Sequence, residues 1–273
     1  MLNKMKLGSA DWNLWPLSTD YEVIFPEFKK VGINCIEIGI YKPSQELNSS
    51  KREEILNLAK QNGIEITAAL FSLTPDRWPD GAFSNTETPF LDECRYFLDA
   101  LEKMGIRYAN IWTGADLPNS SLEETHSSLE ELNELAQNFS GIVSIEYKAD
   151  TIFPDGKKLA KILSSYSCLK VLIDTGHAFA LEEDVVELIQ ELHKSETMGA
   201  MHLGDAVAGD SDADLPCGRV HDFSEILDTL SKLNFSGTAN FDLYGAAVDV
   251  DGPGPLPILE ESLQYMKTAM KAH

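Results

Sequence analysis

Four short apolar runs in the second half of the chain each deliver a side chain that can bind a cation or move a proton. These side chains are Glu146, Asp174, His202 and Asp242. Carboxylates that converge without a cation repel one another and raise each other's pKa values. A divalent cation held by three carboxylates and one imidazole relieves that repulsion, and oxygen and nitrogen ligands without a thiolate suit Mn²⁺, Mg²⁺, Co²⁺ or Zn²⁺. We therefore expect one divalent ion per chain, with Mn²⁺ preferred.

Each of these residues also has an ordinary structural interpretation. Asp174 could cap the helix that follows its run, and Glu146 could pair with a neighbouring strand. A single buried histidine such as His202 is usually a hydrogen-bonded core residue. The combination on successive runs favours a metal site, while the separate structural roles stay open at the level of sequence.

Short apolar runs and longer amphipathic stretches alternate along the whole chain. Runs of strand length that are rich in β-branched or aromatic residues predict strands over 6–10, 35–40, 65–71, 108–113, 142–147, 171–174, 200–203 and 238–243. Helical spacing predicts helices over 49–61, 88–104, 120–138, 181–194, 222–233 and 257–271. This alternation predicts a parallel sheet with helices outside it.

The number of strand–helix units favours a closed barrel. Eight such units in a chain of 273 residues fit an α/β fold of the (β/α)₈ TIM-barrel type. A doubly wound open sheet usually carries a Gly-x-Gly-x-x-Gly turn after its first strand, and residues 8–12 do not match it. Without a long linker, we expect 1–273 to form a single barrel domain. Barrel chemistry lies at the carboxyl ends of the strands, where the four residues named above fall.

The net charge limits the possible binding partners, and the cysteine pattern indicates the cellular location. The formal net charge is −22, from 44 acidic and 22 basic residues, and such a surface repels nucleic-acid phosphates and anionic lipids. We therefore expect neither a nucleic acid nor a membrane as a partner, and the sequence leaves a homo-oligomer open. Scattered cysteines without a CxxC pair, and no apolar leader at the N-terminus, predict a cytoplasmic protein.

Five segments resemble the xylose isomerase-like barrels, a family of sugar isomerases and epimerases that also includes apurinic-site endonucleases. The segments are 32–38 (Gly-Ile-Asn-Cys-Ile-Glu-Ile), 144–146 (Ser-Ile-Glu), 174–177 (Asp-Thr-Gly-His), 202–205 (His-Leu-Gly-Asp) and 218–223 (Gly-Arg-Val-His-Asp-Phe). The resemblance spans essentially the whole chain. Its most specific parts are the DxxH and HxxD segments together with the strand-end glutamate.

The resemblance implies roles for individual residues. The ketose 3-epimerases of this family hold one metal with Glu, Asp, His and Glu, which implies that Glu146, Asp174 and His202 take the first three places. It also implies that His177 and Arg219 contact the substrate. The fourth position departs from the family, because Asp242 stands where Glu is usual. That position is also a catalytic acid–base group in the epimerases, and Asp reaches one methylene less far.

Four further residues near predicted strand ends are candidates for substrate contact. Trp12 and Trp112 present aromatic faces that stack on sugar rings, although large buried aromatic side chains are often core. Glu37 could bind hydroxyl groups or form a salt bridge at the rim. Lys148 shares a strand face with Glu146 and could contact an anion or balance local charge. Residues 210–214, in contrast, are predicted to form a solvated loop.

The resemblance and the strand-end residues together predict a divalent-metal-dependent sugar isomerase or epimerase. We expect it to act on an open-chain ketose or aldose through an enediolate, with Glu146 and Asp242 as the catalytic carboxylates. The alternatives are a dehydratase or lyase on a related polyol and a sugar-binding barrel without catalysis. An apurinic-site endonuclease is a further alternative that the net charge disfavours. Few basic residues lie at predicted strand ends, which favours a neutral or weakly anionic sugar.

Overall fold

The described part of the chain forms a barrel of eight parallel strands in the computed structural model. Residues 4–81, 83, 90–114, 122–149 and 151–271 are described. The strands are β1 Lys6–Ala10, β2 Cys35–Ile40, β3 Glu65–Phe71, β4 Tyr108–Trp112, β5 Ile142–Glu146, β6 Leu169–Asp174, β7 Met198–Leu203 and β8 Thr238–Phe241. Each strand pairs with its neighbours in the sequence, and β8 pairs with β1 to close the ring. The predicted (β/α)₈ TIM-barrel fold is confirmed.

Helices connect the strands. Those in the described residues are α1 Tyr21–Val31, α2 Pro43–Glu46, α3 Ser49–Asn62, α4 Phe90–Met104, α5 Leu122–Ala136, α6 Gly156–Leu163, α7 Thr175–Ala180, α8 Val185–Lys194, α9 Ser224–Lys232, α10 Tyr244–Val248 and α11 Pro255–Met270. The short helices α2, α7 and α10 follow β2, β6 and β8 closely, so they lie at the carboxyl rim of the barrel. The long helices bury apolar stripes against it.

Local capping explains where the first long helices begin and end. The Asp20 side chain accepts a hydrogen bond from the Glu22 N–H at the start of α1, and Asn48 does the same for Lys51 at the start of α3. Gly32 ends α1 with φ of 89° and Gly63 ends α3 with φ of 67°, in the left-handed region that glycine adopts without strain. Each helix therefore stops close to the strand that follows it.

The boundaries differ from the predicted ones in a few places. The predicted helix starts at Thr88 and Ser120 lie outside the described residues. The sequence predicted a helix only from residue 181 onward. In the structure a helix, α7, already begins at Thr175, because the Asp174 side chain caps it directly after β6. Strand β8 ends at Phe241, two residues before the predicted end. Asp242, the next residue, donates its backbone N–H to the Leu203 carbonyl at 3.1 Å.

Polar side chains occupy the upper part of the barrel interior. Fully buried polar residues on the strands include Glu37, Asn110, Ser144, His202 and Asn240. The strand register pairs Asp174 with His202, and His202 with Asn240. The register therefore gathers side chains from distant parts of the sequence into one layer below the carboxyl rim.

No helix in the described ranges is long and apolar enough to cross a membrane.

Candidate metal centre and active site

Four side chains meet at the carboxyl end of the barrel. Glu146, Asp174, His202 and Asp242 each offer one ligand atom, and these atoms all lie within 4.8 Å of one another. They come from the ends of β5 and β6, from β7, and from the residue after β8. Ligands about 2 Å from a common ion lie within roughly 4 Å of each other, so the cluster is close to the size of a mononuclear site.

The orientation of His202 shows which chemical partner the cluster suits. Its Nε2 lies 2.9 Å from Oε2 of Glu37, so Nε2 donates to that carboxylate. Its Nδ1 is buried and has no hydrogen-bond partner. Three carboxylate oxygens surround this nitrogen, at 3.5 Å from Glu146, 3.7 Å from Asp174 and 3.4 Å from Asp242. A lone pair that faces three acceptors fits a cation, so the residues present suit a divalent metal.

Glu37 lies behind His202 rather than in the wall of the cavity. The carboxylate is fully buried. It accepts hydrogen bonds from Asn110 at 2.7 Å and from Asn240 at 2.9 Å, besides the one from His202. Glu37, which the sequence suggested could bind substrate hydroxyl groups, instead pairs with His202 and fixes the tautomer of its imidazole ring. Asparagines inside the apolar runs of β4 and β8 are the sequence signal for such a buried network.

Two of the site carboxylates use one oxygen for structure and leave the other for the site. Oδ1 of Asp174 accepts the His177 N–H at 2.8 Å and caps α7, while Oδ2 faces His202. Oδ1 of Asp242 accepts from the Trp12 indole at 2.8 Å, while Oδ2 faces His202. The capping role that the sequence left open for Asp174 thus coexists with its place in the cluster.

Burial and mutual repulsion shift the acid–base properties of the cluster. Burial raises the pKa of Asp242 to about 6; His202 opposes this rise, and Asp174 and Glu146 add to it. Burial disfavours the charged form of His202, but the carboxylates of Glu37 and Glu146 outweigh it and raise the pKa of His202 well above its usual range. The cluster therefore attracts positive charge, either a proton or a metal ion.

A cavity of about 370 Å³ opens directly above the cluster. Of the residues predicted to contact substrate, Trp12, Trp112, Lys148 and His177 line it. Nδ1 of His177 donates to the Tyr147 carbonyl at 2.9 Å, which leaves Nε2 of that ring for a ligand. The volume and the mixture of aromatic and polar walls suit a small organic ligand.

Arg219 does not reach this cavity. Its Nε and Nη2 atoms each lie 2.7 Å from the carboxylate of Glu261 on α11, which forms a bidentate ion pair outside the lining of the cavity. Glu261 lies on α11, 42 residues after Arg219 in the sequence, so no local sequence pattern could predict the ion pair. The position implied by the resemblance to the family is therefore not occupied by Arg219 in this structure.

The loop between β7 and α9 adds a residue that the sequence assigned to solvent. Asp214 lines the cavity and accepts the Gly245 N–H at 2.8 Å. Burial raises the pKa of Asp214 well above its usual range, and Asp242 and Asp174 raise it further. No sequence signal marks this residue, because its placement depends on a contact with the segment that follows β8.

The family follows from a sequence comparison. The family profile described as xylose isomerase-like TIM barrel matches residues 25–269. The chain belongs to this family. No curated protein matches the sequence at a significant level.

Solved structures of sugar epimerases share this fold. D-allulose 3-epimerase from Methylomonas sp. in complex with D-allulose is similar with a TM-score of 0.76 and 14% identity, over 97% of both chains. L-ribulose 3-epimerase is similar with a TM-score of 0.76 and 14% identity, over 98% of this chain and 95% of the other. D-psicose 3-epimerase with D-tagatose from Clostridium cellulolyticum H10 has a TM-score of 0.72 and 14% identity, over 98% and 99%.

Proposed function

We propose that this xylose isomerase-like barrel is a divalent-metal-dependent sugar isomerase or epimerase that acts on an open-chain ketose or aldose. The observation that carries the proposal is Nδ1 of His202, buried without a partner among three carboxylates at the floor of a cavity. The epimerases named among the structural neighbours support a sugar as the substrate class.

The metal would be held by Glu146, Asp174, His202 and Asp242. Their oxygen and imidazole donors suit Mn²⁺ first, with Mg²⁺, Co²⁺ or Zn²⁺ as alternatives. A bound divalent cation supplies Lewis acidity that lowers the barrier to removing a proton beside a carbonyl group. Glu37 supports this set by holding the proton on Nε2 of His202, which keeps Nδ1 available as a ligand.

Glu146 and Asp242 carry the proton transfer in this proposal. Glu146 on β5 takes the proton from the substrate carbon beside the carbonyl, which leaves an enediolate. Asp242, on the β8 side of the cluster, donates a proton of its own to the opposite face or to the neighbouring carbon. Exchange with solvent then removes the proton from Glu146 and restores the one on Asp242. Of the three site carboxylates, Asp242 is the most exposed toward the cavity, at 16% of its side chain.

The walls of the cavity would position the sugar. Nε2 of His177 can hydrogen-bond a substrate oxygen because Nδ1 is committed to the Tyr147 carbonyl. The rings of Trp12 and Trp112 offer apolar faces to the carbon skeleton. Arg219 and Glu37 take no direct part in substrate binding, because one pairs with Glu261 and the other lies behind His202.

The test is deuterium exchange at the substrate carbon. The protein is stripped with chelator, reloaded with Mn²⁺ and incubated in D₂O with a panel of ketoses and aldoses, and carbon-bound deuterium is followed by NMR. We expect metal-dependent exchange. Asp242→Asn should reduce its rate by ~10²–10⁴ and weaken metal binding as well, because the amide cannot carry the proton and is a poorer ligand. As a matched control, Asp184→Asn on the N-cap of α8 should leave the rate unchanged.

The same experiment separates the alternatives. Bound metal without exchange for any sugar in the panel would contradict the isomerase proposal and favour a sugar-binding barrel. Loss of water from a polyol, without exchange into recovered substrate, would indicate a dehydratase. Full exchange by Asp242→Asn would remove Asp242 from the chemistry and leave Glu146 as the acting carboxylate.

A further inference from the structure

The loop between β7 and α9 is tied down so that part of it forms a wall of the cavity. Asp205 and Leu215 exchange backbone hydrogen bonds in both directions, each 2.7 Å long. The carboxylate of Asp205 also accepts the backbone N–H groups of Val220 at 2.7 Å and His221 at 3.0 Å. The two ends of the loop are thereby held together, and residues 211, 212 and 214 line the cavity between them.

Gly245, in the segment after β8, packs closely against this wall. Its N–H donates to Oδ2 of Asp214, and a Cβ built on Gly245 would lie only 1.9 Å from the Asp212 carbonyl oxygen. Only glycine permits that approach without moving the loop. Asp214 itself has φ of 41°, in the left-handed region that strains the backbone of a non-glycine residue. The carboxylate is therefore held at the cavity by contacts that offset local strain.

Lys148, which follows β5, lines the same cavity. It is the one lysine or arginine among the described residues that line the cavity, and its ammonium group pairs with Asp212. The Lys148 side chain is 22% exposed and that of Asp212 is 79% exposed. The only fixed positive charge on the described wall is thus matched by a carboxylate from the loop.

The charges of the site then disfavour an anionic substrate. A divalent ion on Glu146, Asp174 and Asp242 would leave one net negative charge. The Lys148–Asp212 pair adds none, and Asp214 brings no positive charge. A phosphate group would have to displace Asp212 from Lys148 and enter beside Asp214, whereas a hydroxyl group can donate to the Asp214 carboxylate and leave the Lys148–Asp212 pair in place.

We propose that the β7–α9 loop restricts this cavity to uncharged sugars and excludes phosphorylated ones. Asp212 pairs with Lys148 and so keeps its ammonium group from binding a phosphate. Asp214 adds a carboxylate that accepts hydrogen bonds from hydroxyl groups. This inference rests on the proposed function and names its substrate class. Its test measures anion binding rather than turnover, so that its failure is distinguishable from an absence of sugar isomerisation.

The experiment frees Lys148 by Asp212→Asn. The probes are inorganic phosphate, D-fructose 6-phosphate and D-fructose, titrated against the Mg²⁺-loaded protein and followed by the fluorescence of Trp12, Trp15 and Trp112, which line the cavity. We expect Asp212→Asn to bind both phosphate probes at least about tenfold more tightly than wild type, with no comparable change for D-fructose. Adding Lys148→Met to this variant should abolish the gain.

A charge-matched control excludes a general electrostatic effect. Asp251→Asn removes one negative charge from an exposed residue in the segment after α10, outside the cavity lining, and should leave all three affinities unchanged. The proposal is overturned if wild type already binds the phosphate probes as tightly as Asp212→Asn. It is equally overturned if neither protein binds them, or if the gain survives Lys148→Met.

Discussion

Nδ1 of His202 is the atom around which the residues of this site are arranged. Its position depends on Glu37, which accepts hydrogen bonds from His202, Asn110 and Asn240 and is fully buried. All three partners are donors, and the two oxygens of a carboxylate can accept from all of them at once. These hydrogen bonds hold the ring of His202 with Nδ1 toward the cluster.

Glu37→Gln should weaken metal binding without removing any ligand. The new amide group would place an NH₂ opposite another donor, a mismatch worth about 1–3 kcal/mol. Loss of such a partner typically lowers metal affinity by about 10- to 100-fold. Titration of chelator-stripped protein with Mn²⁺ measures the change.

Glu65→Gln is the control for Glu37→Gln. Glu65 lies on β3 at the exposed amino end of the barrel and pairs with Lys6, also exposed. Loss of an exposed ion pair costs about 1 kcal/mol or less, and the Mn²⁺ affinity should not change. Equal Mn²⁺ affinity for wild type and Glu37→Gln would contradict the role assigned to Glu37.

At the scale of elements, the β6–α7 junction combines a helix cap with a side chain of the four-residue cluster. The Asp174 carboxylate ends β6 and caps α7 with Oδ1, while Oδ2 faces the cluster. Asn is as good an N-cap as Asp. In Asp174→Asn the side-chain oxygen must keep accepting the His177 N–H, so the NH₂ group turns toward the cluster and offers no ligand.

Asp174→Asn should therefore abolish metal retention while the melting temperature of the metal-free protein stays close to wild type. Asp155→Asn is the matched control, because Asp155 caps α6 through the Lys158 N–H and lies outside the cluster. It should keep both properties. Elemental analysis after gel filtration and thermal melting by circular dichroism give the two readouts. A bound stoichiometric ion in Asp174→Asn would contradict the assignment.

The 3₁₀ turn over Asp11–Leu14 is the element that carries Trp12 to Asp242. Asp11 anchors it by accepting the Gly39 N–H at 3.0 Å and the Tyr21 hydroxyl at 2.9 Å. Burial raises the pKa of Asp11 to about 8, even though both hydrogen bonds lower it. In the unfolded chain the pKa is near 3.9. Between these two values the folded state binds the extra proton, so this group contributes stability that is lost as the pH rises.

Asp11→Asn should remove that dependence. The unfolding free energy of Asp11→Asn minus that of wild type should increase from about pH 5 to about pH 8, by at most about 1.4 kcal/mol per pH unit, because only wild type loses stability over this range. Urea unfolding at several pH values measures the difference. Asp20→Asn, on the exposed N-cap of α1, should show no such trend. A constant difference between Asp11→Asn and wild type over this range would contradict the raised pKa.

At the scale of the whole molecule, the cluster links strands β5 to β8 across the carboxyl rim. Three carboxylates that face one imidazole there repel each other when no cation lies between them. Metal binding should therefore stabilise the barrel as a unit. That residues 1–273 form a single domain and that the protein is cytoplasmic stay predictions.

Metal saturation should raise the melting temperature of the folded protein. At a free ion concentration 100 times the dissociation constant the gain is about 2.7 kcal/mol. For a chain of this size each kcal/mol corresponds to roughly 2–4 °C, so we expect a rise of about 5–10 °C with Mn²⁺ that EDTA reverses. Asp174→Asn should show no rise. An unchanged melting temperature for wild type at saturating Mn²⁺ would count against a metal centre.

Local sequence patterns were enough to predict the strands and the residues at their ends. Strands β1, β2 and β3 begin and end where the apolar runs predicted, because a buried parallel strand requires a continuous apolar segment bounded by polar residues. Consecutive strands of a barrel present their carboxyl ends at one rim. The sequence alone therefore predicted one cluster, formed by Glu146, Asp174, His202 and Asp242.

The contacts of Glu37, Trp12, Arg219 and Asp214 depend on the closed barrel and could not be predicted from the sequence. Glu37 and His202 are 165 residues apart in the sequence, and Trp12 and Asp242 are 230 apart. Closure of β8 against β1 brings the second pair together, and the Gly245 contact carries Asp214 to the cavity. Hydrogen bonds of this kind depend on side-chain direction within the closed ring, whereas local periodicity reports only which residues are apolar and how they repeat.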